Sequence, residues 1–136
     1  EGIFAALREF AKAGYALVVV TNQSGIGRGY YTLEQFDEFC RFMLGEFEKE
    51  SVKIEKIYFC PHAPEANCLC RKPEPGMLLN AANELNIDLA RSIMIGDKDS
   101  DVQAGQSAGV GINLKLDDRL KSVADALEFL KKEGKI

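Results

Sequence analysis

No apolar run in the sequence approaches the roughly 18 residues that a membrane span requires. No leader is legible at the amino end, where Glu1 opens directly into an amphipathic pattern. Positive charge is not in surplus. The 17 Lys plus Arg stand against 21 Asp plus Glu, for a net charge of −4, which disfavours partners bound by neutralising nucleic-acid phosphates. Internal repeats, low-complexity tracts and linkers are absent, and 136 residues leave room for a single domain. Histidine is confined to His62, and all the prolines (61, 64, 73 and 75) fall in one stretch. What remains is 46% hydrophobic, enough to fill one core and too much for disorder. A soluble cytoplasmic chain with neither a nucleic-acid nor a membrane partner is expected.

The periodicity alternates between helix and strand. Residues 3–13 place Ile3, Ala6, Leu7 and Phe10 on one helical face, which Gly14 ends. Residues 16–20 (ALVVV) read as a strand buried on both faces of a parallel sheet. Thr32, with Gln35 three residues on, reads as a capping box for a helix reaching about Glu50, with Cys40 in its core face among Phe36, Phe39 and Phe42. Strands are expected at 56–59, 92–95 and 110–114, and helices at 75–85, 99–108 and 117–133. Strand, crossover helix and strand in repetition predict an α/β doubly wound, mostly parallel sheet. Such sheets bind ligands beyond the carboxyl ends of their strands.

Three segments after strands carry candidate chemistry. In TNQSGIGRGYY (21–31), Thr21 stands at a strand end before closely spaced glycines that let backbone approach a ligand. In GDKDSD (96–101), Asp97 follows a strand and Asp101 lies one helical turn on. Capping a helix explains Asp99 and Asp101, whereas Asp97 at the strand end suits Mg²⁺, which takes carboxylate, water and phosphate oxygens. Arg71 and Lys72 beside Pro73 suit a phosphate, as a fork and a point charge.

The strongest local pattern is Cys60-Pro61-His62 with Cys68-Leu69-Cys70, two pairs separated by five residues. Three thiolates and an imidazole make a closed tetrahedral Zn²⁺ set with no open position, hence a structural site. Clustered cysteines in a cytosolic chain favour metal over disulfides.

Together these segments resemble motifs of the haloacid dehalogenase superfamily. Within it, TNQSGIGRGYY, CPHxPExxCxCRKPxPGM and MIGDK resemble the D-glycero-D-manno-heptose 1,7-bisphosphate phosphatases, over about residues 1–115. The resemblance implies a Rossmann-like phosphatase domain over 1–136, without a cap domain and with a zinc loop at 60–72. It implies removal of the C7 phosphate through an aspartyl-phosphate, in making bacterial heptose precursors of lipopolysaccharide. Thr21 and Asn22 would bind the transferring phosphoryl group, with Gln23 and Ser24 alongside. Lys72 would balance its charge. Asp97 would hold Mg²⁺, supported by Asp101, and Arg71 and Lys98 would contact the sugar phosphate. Cys60, His62, Cys68 and Cys70 would hold Zn²⁺. The partner is a small phosphorylated sugar, and the complete protein is expected to be a monomer.

One part of the family pattern is missing. Members begin with a strand ending in Asp-x-Asp, nucleophile and acid/base, and no such strand precedes residue 16 here. That strand is central in the superfamily, so without it the sheet should part by about two strand spacings, roughly 10 Å. A fragment of a longer protein is therefore expected. Three rival readings remain: a histidinol-phosphate phosphatase, a polynucleotide 3′-phosphatase domain, and a catalytically inactive phosphosugar-binding or interaction module. Ser24, Lys98 and GRGYY favour the heptose reading over the first, and the zinc loop and negative charge favour it over the second.

Overall fold

The computed structural model describes residues 2–63 and 68–136. Helix α1 (Ile3–Lys12) buries Ala6 and Phe10, as its periodicity predicts. Strand β1 (Leu17–Asn22) leads through a one-turn helix α2 (Ser24–Gly27) to α3 (Leu33–Lys49). Strand β2 (Ile54–Cys60), α4 (Gly76–Leu85), a single 3-10 turn (Leu89–Arg91), β3 (Ile93–Gly96), α5 (Asp99–Ala108), β4 (Ile112–Lys115) and α6 (Val123–Lys132) follow.

The strands pair in parallel as two separate two-stranded sheets, β1 with β2 and β3 with β4. Among the described residues no ladder joins the pairs, which is the parting expected of a sheet without its central strand. Side chains hold the halves together instead. Leu17 of β1 and Ile93, Ile95, Ile112 and Leu114 of β3 and β4 all pack on the Ala6, Phe10, Leu127 and Leu130 cluster of α1 and α6. On the other face Val20 packs both against Tyr58, Met77 and Ala81 and against Leu78, Met94 and Ala104. Burial of this apolar surface is the main favourable term, at about 25 cal/mol per Å².

Several elements differ from the sequence reading. Strand β1 is half-buried along its length rather than covered on both faces, because among the described residues its edge toward β3 has no partner strand. It also runs through Thr21 and Asn22, so these residues belong to the strand and do not follow it. The last helix starts at Val123 and not at 117. The Asp117 carboxylate accepts from the Arg119 and Leu120 backbone N–H groups at 2.8 and 3.3 Å, closing a turn, and Ser122 then caps the helix. Cys40 is only partly buried, since Phe39 and Phe42 are 58% and 65% exposed and Phe36 alone enters the core. Burial, with Asp37 nearby, pushes the Cys40 thiol up.

The capping box is present. Thr32 Oγ1 accepts from Gln35 N at 3.0 Å, and Gln35 Oε1 accepts from Thr32 N at 2.8 Å. Thr32→Ala should lower stability by about 1 kcal/mol, seen as a lower urea midpoint at unchanged slope. An unchanged midpoint would remove the cap from the account of α3. No helix among the described residues is long and apolar enough to cross a membrane.

Candidate active site

The carboxyl ends of β1, β2 and β3 bring the predicted residues to one end of the molecule. Thr21 and Asn22 close β1 opposite Phe59 and Cys60. The chain then turns sharply. Gln23 N donates to Cys60 O at 2.7 Å, and Gly27 N donates to Pro61 O at 2.7 Å. A Cβ on Gly27 would lie 2.7 Å from that same oxygen, so only glycine lets the cysteine loop settle on this turn.

Lys72 is the junction of the site. Its backbone N donates to Asn22 Oδ1 at 3.0 Å, and its carbonyl accepts from Asn22 Nδ2 at 3.3 Å. The asparagine amide thus clasps the peptide on either side of the lysine. Lys72 Nζ donates to Val20 O at 3.2 Å and pairs with the Asp101 carboxylate. Asp101 is 4% exposed, and its second oxygen accepts from Lys98 N at 3.1 Å, tying it into the first turn of α5. Gly96 makes room for it: a Cβ there would lie 2.3 Å from Asp101 Oδ2. A buried carboxylate is tolerated when an ammonium and a backbone donor both satisfy it.

The remaining predicted residues are placed more loosely. Asp97 follows β3 and is exposed, with no hydrogen bond or ion pair among the described residues. Lys98 is exposed, and Ser24 opens α2 half-buried. Arg71 is half-buried, and its Nη1 is buried without a partner among the described residues. Two participants were not assigned from the sequence: the Val20 carbonyl, and Tyr31, whose hydroxyl donates to Gln23 Oε1 while Gln23 Nε2 donates to Thr21 Oγ1 at 2.9 Å. The only sequence trace of Tyr31 is its place in GRGYY.

Beside this centre, Cys60, His62, Cys68 and Cys70 converge, with their ligand atoms all within 4.8 Å of one another. Sulfur separations are 3.2 Å for Cys60–Cys68 and 3.5 Å for Cys68–Cys70, and His62 Nδ1 lies 3.4 Å from both Cys60 and Cys70. Residues 64–67 of the expected 60–72 loop, Pro64 included, lie outside the described residues. Burial raises the Cys68 thiol, but hydrogen bonds from Cys60, Cys70 and the Arg71 and Cys70 backbone outweigh it and bring the thiol down to about 6. Burial and the neighbouring thiols push Cys70 up to about 12, and burial raises Cys60. Three sulfurs and one imidazole nitrogen at this spacing, one sulfur readily ionised, could hold a metal ion.

The sequence is 50% identical over 117 residues to the D-glycero-beta-D-manno-heptose-1,7-bisphosphate 7-phosphatase of Helicobacter pylori, covering 85% of this chain and 67% of that protein. The chain belongs to the heptose-bisphosphate phosphatase family of the haloacid dehalogenase superfamily. The Campylobacter jejuni D-glycero-alpha-D-manno-heptose-1,7-bisphosphate 7-phosphatase is 42% identical, over 98% of this chain and 81% of that protein. A family model for haloacid-dehalogenase-like hydrolases matches residues 69–119, the span from just before Cys70 to beyond β4. Among solved structures, the D,D-heptose 1,7-bisphosphate phosphatase of B. bronchiseptica, complexed with magnesium and phosphate, superposes with a TM-score of 0.83. It is 27% identical, over 97% of this chain and 83% of that one. Membership of this family accounts for the α/β architecture and for the candidate site at the carboxyl ends of the parallel strands.

Proposed function

We infer that this protein is a Mg²⁺-dependent phosphatase that removes the C7 phosphate of D-glycero-D-manno-heptose 1,7-bisphosphate. The observation that carries this is the 50% identity to a phosphatase of that name, with the junction around Lys72 intact. The related proteins carry alpha and beta in their names, so both C1 anomers belong in the assay.

Lys72 holds positive charge at the strand ends, where its clasped backbone and paired Nζ leave it little freedom. Charge fixed in place before reaction stabilises a transferring phosphoryl group without reorganisation. Thr21 offers a hydroxyl, with Asn22, Gln23 and Ser24 shaping the turn around it. Arg71, with its unpartnered Nη1, and the exposed Lys98 suit the sugar-phosphate oxygens. The unengaged Asp97 carboxylate fits Mg²⁺, with Asp101 supporting it from the first turn of α5. Bound Mg²⁺ would offset phosphoryl charge. The parting between β1 and β3 suits a strand bearing the attacking carboxylate and the acid/base group, which would form the aspartyl-phosphate.

The metal held by Cys60, His62, Cys68 and Cys70 is proposed to be a structural Zn²⁺. Near pH 7.5 the Cys68 thiol is already ionised and those of Cys60 and Cys70 are not. Zinc binding should therefore release about two protons, read from calorimetry in buffers of different ionisation enthalpy. Release of three would mean Cys68 is protonated in the free loop.

The test of the activity is phosphate release by the full-length, Mg²⁺-loaded protein from each anomer. One equivalent should appear, and phosphorus NMR should show the C1 phosphate retained. Turnover of histidinol phosphate without turnover of the heptose bisphosphate would overturn the substrate assignment.

A further inference from the structure

The chain Tyr31–Gln23–Thr21 has a chemical direction. Thr21 Oγ1 accepts from Gln23 Nε2 at 2.9 Å. Among the described residues, the proton of that hydroxyl has only the Asn22 carbonyl at 3.4 Å near it, beyond the usual range for an O–H donor. It is therefore free to point at a ligand. The side-chain amide of Gln23 could in principle sit the other way round. Its oxygen would then capture the Thr21 proton, and the hydroxyl would have nothing left to donate.

Tyr31 decides between the two arrangements. A phenol shares its oxygen lone pairs with the ring, so it donates better and accepts worse than an aliphatic hydroxyl. Tyr31 donating to Gln23 Oε1, and Thr21 accepting from Nε2, gives each group its stronger role. The ring is held for this purpose against the turn after β1. A Cβ on Gly25 would lie 2.2 Å from Tyr31 Cε1, so glycine at 25 is what admits it. Its neighbour Tyr30 is 74% exposed and takes no part.

We propose that Tyr31 is a positioning residue: through Gln23 it fixes the Thr21 hydroxyl as a donor toward the transferring phosphoryl group. This rests on the phosphatase reading above and adds to it the residue that sets the polarity of the Thr21 contact.

The experiment is the single-turnover rate of phosphate release from heptose 1,7-bisphosphate by the full-length, Mg²⁺- and Zn²⁺-loaded protein. Tyr31→Phe keeps the ring and removes only the hydroxyl. It should slow the rate about tenfold, the worth of one directed hydrogen bond, with a smaller change in KM and with Tm and zinc content unchanged. In a Gln23→Ala background the same substitution should have no added effect, because the path runs through that amide. Tyr30→Phe should match the wild type. A Tyr31→Phe rate equal to the wild type, a change in KM alone, or effects that multiply in the double variant would each overturn the proposal. An inactive wild type would instead overturn the phosphatase reading, and this inference with it.

Discussion

Lys72→Ala is expected to lower phosphate release about 10³-fold or more and, separately, to destabilise the fold. The first effect follows from losing a cation that two contacts hold at the strand ends. The second follows from what is left behind. Asp101 is nearly fully buried, and without the ammonium the remaining donor to its side chain among the described residues is the Lys98 N–H at 3.1 Å. Removing one partner of a buried pair typically costs about 3–5 kcal/mol, since the surviving charge keeps its desolvation penalty. The two effects can be separated. Adding Asp101→Asn to Lys72→Ala removes the stranded charge and keeps an acceptor for Lys98 N–H. That double variant should recover most of the stability and none of the activity. Recovery of turnover would mean that Lys72 acts only as a prop for Asp101; near-normal turnover in Lys72→Ala alone would remove it from the site.

Cys68→Ser should cost the metal and, through it, the active site. Cys68 is the thiol held down to about 6, hence the ligand present as thiolate before metal arrives. A serine hydroxyl is a far weaker zinc ligand, and structural zinc binding is itself folding free energy. Zinc content should fall from about one per chain toward zero, and Tm by about 10 °C or more. Phosphate release should fall in parallel, although Cys68 touches no reacting atom. The loop holds Cys60 O and Pro61 O against the turn after β1, and two residues beyond Cys70 it carries Lys72 into the Asn22 clasp. Unchanged zinc stoichiometry would refute the four-ligand site. Zinc loss with full activity would show that the clasp alone fixes Lys72.

The sequence reading recovered these parts unevenly, for physical reasons. Helix α5 was legible to the residue because acidic capping and a following glycine mark both its ends. The convergence of Cys60, His62, Cys68 and Cys70 was legible because cysteine and histidine have few other uses in a proline-rich loop. The parting of the sheet was legible too, because without the central strand no backbone ladder joins β1 to β3 among the described residues. The start of α6 was misplaced because Asp117 accepts backbone hydrogen bonds in a turn as readily as it caps a helix. Cys40 was misplaced because α3 carries more aromatic residues than its core face can take. The bonds of the Asn22 side-chain amide to the Lys72 backbone, fifty residues away in sequence, were not legible. Contacts at that range leave no periodic trace, and neither does the amide relay from Tyr31.

The bonds of Lys72 Nζ run to the Val20 carbonyl on one half-sheet and to Asp101 beyond the other. Among the described residues, one side chain therefore spans the seam where no backbone ladder does. The reach of a single ammonium thus sets how far apart the strand ends of the two halves stand beside the site, and the charge proposed to face the phosphoryl group is also a tether between them.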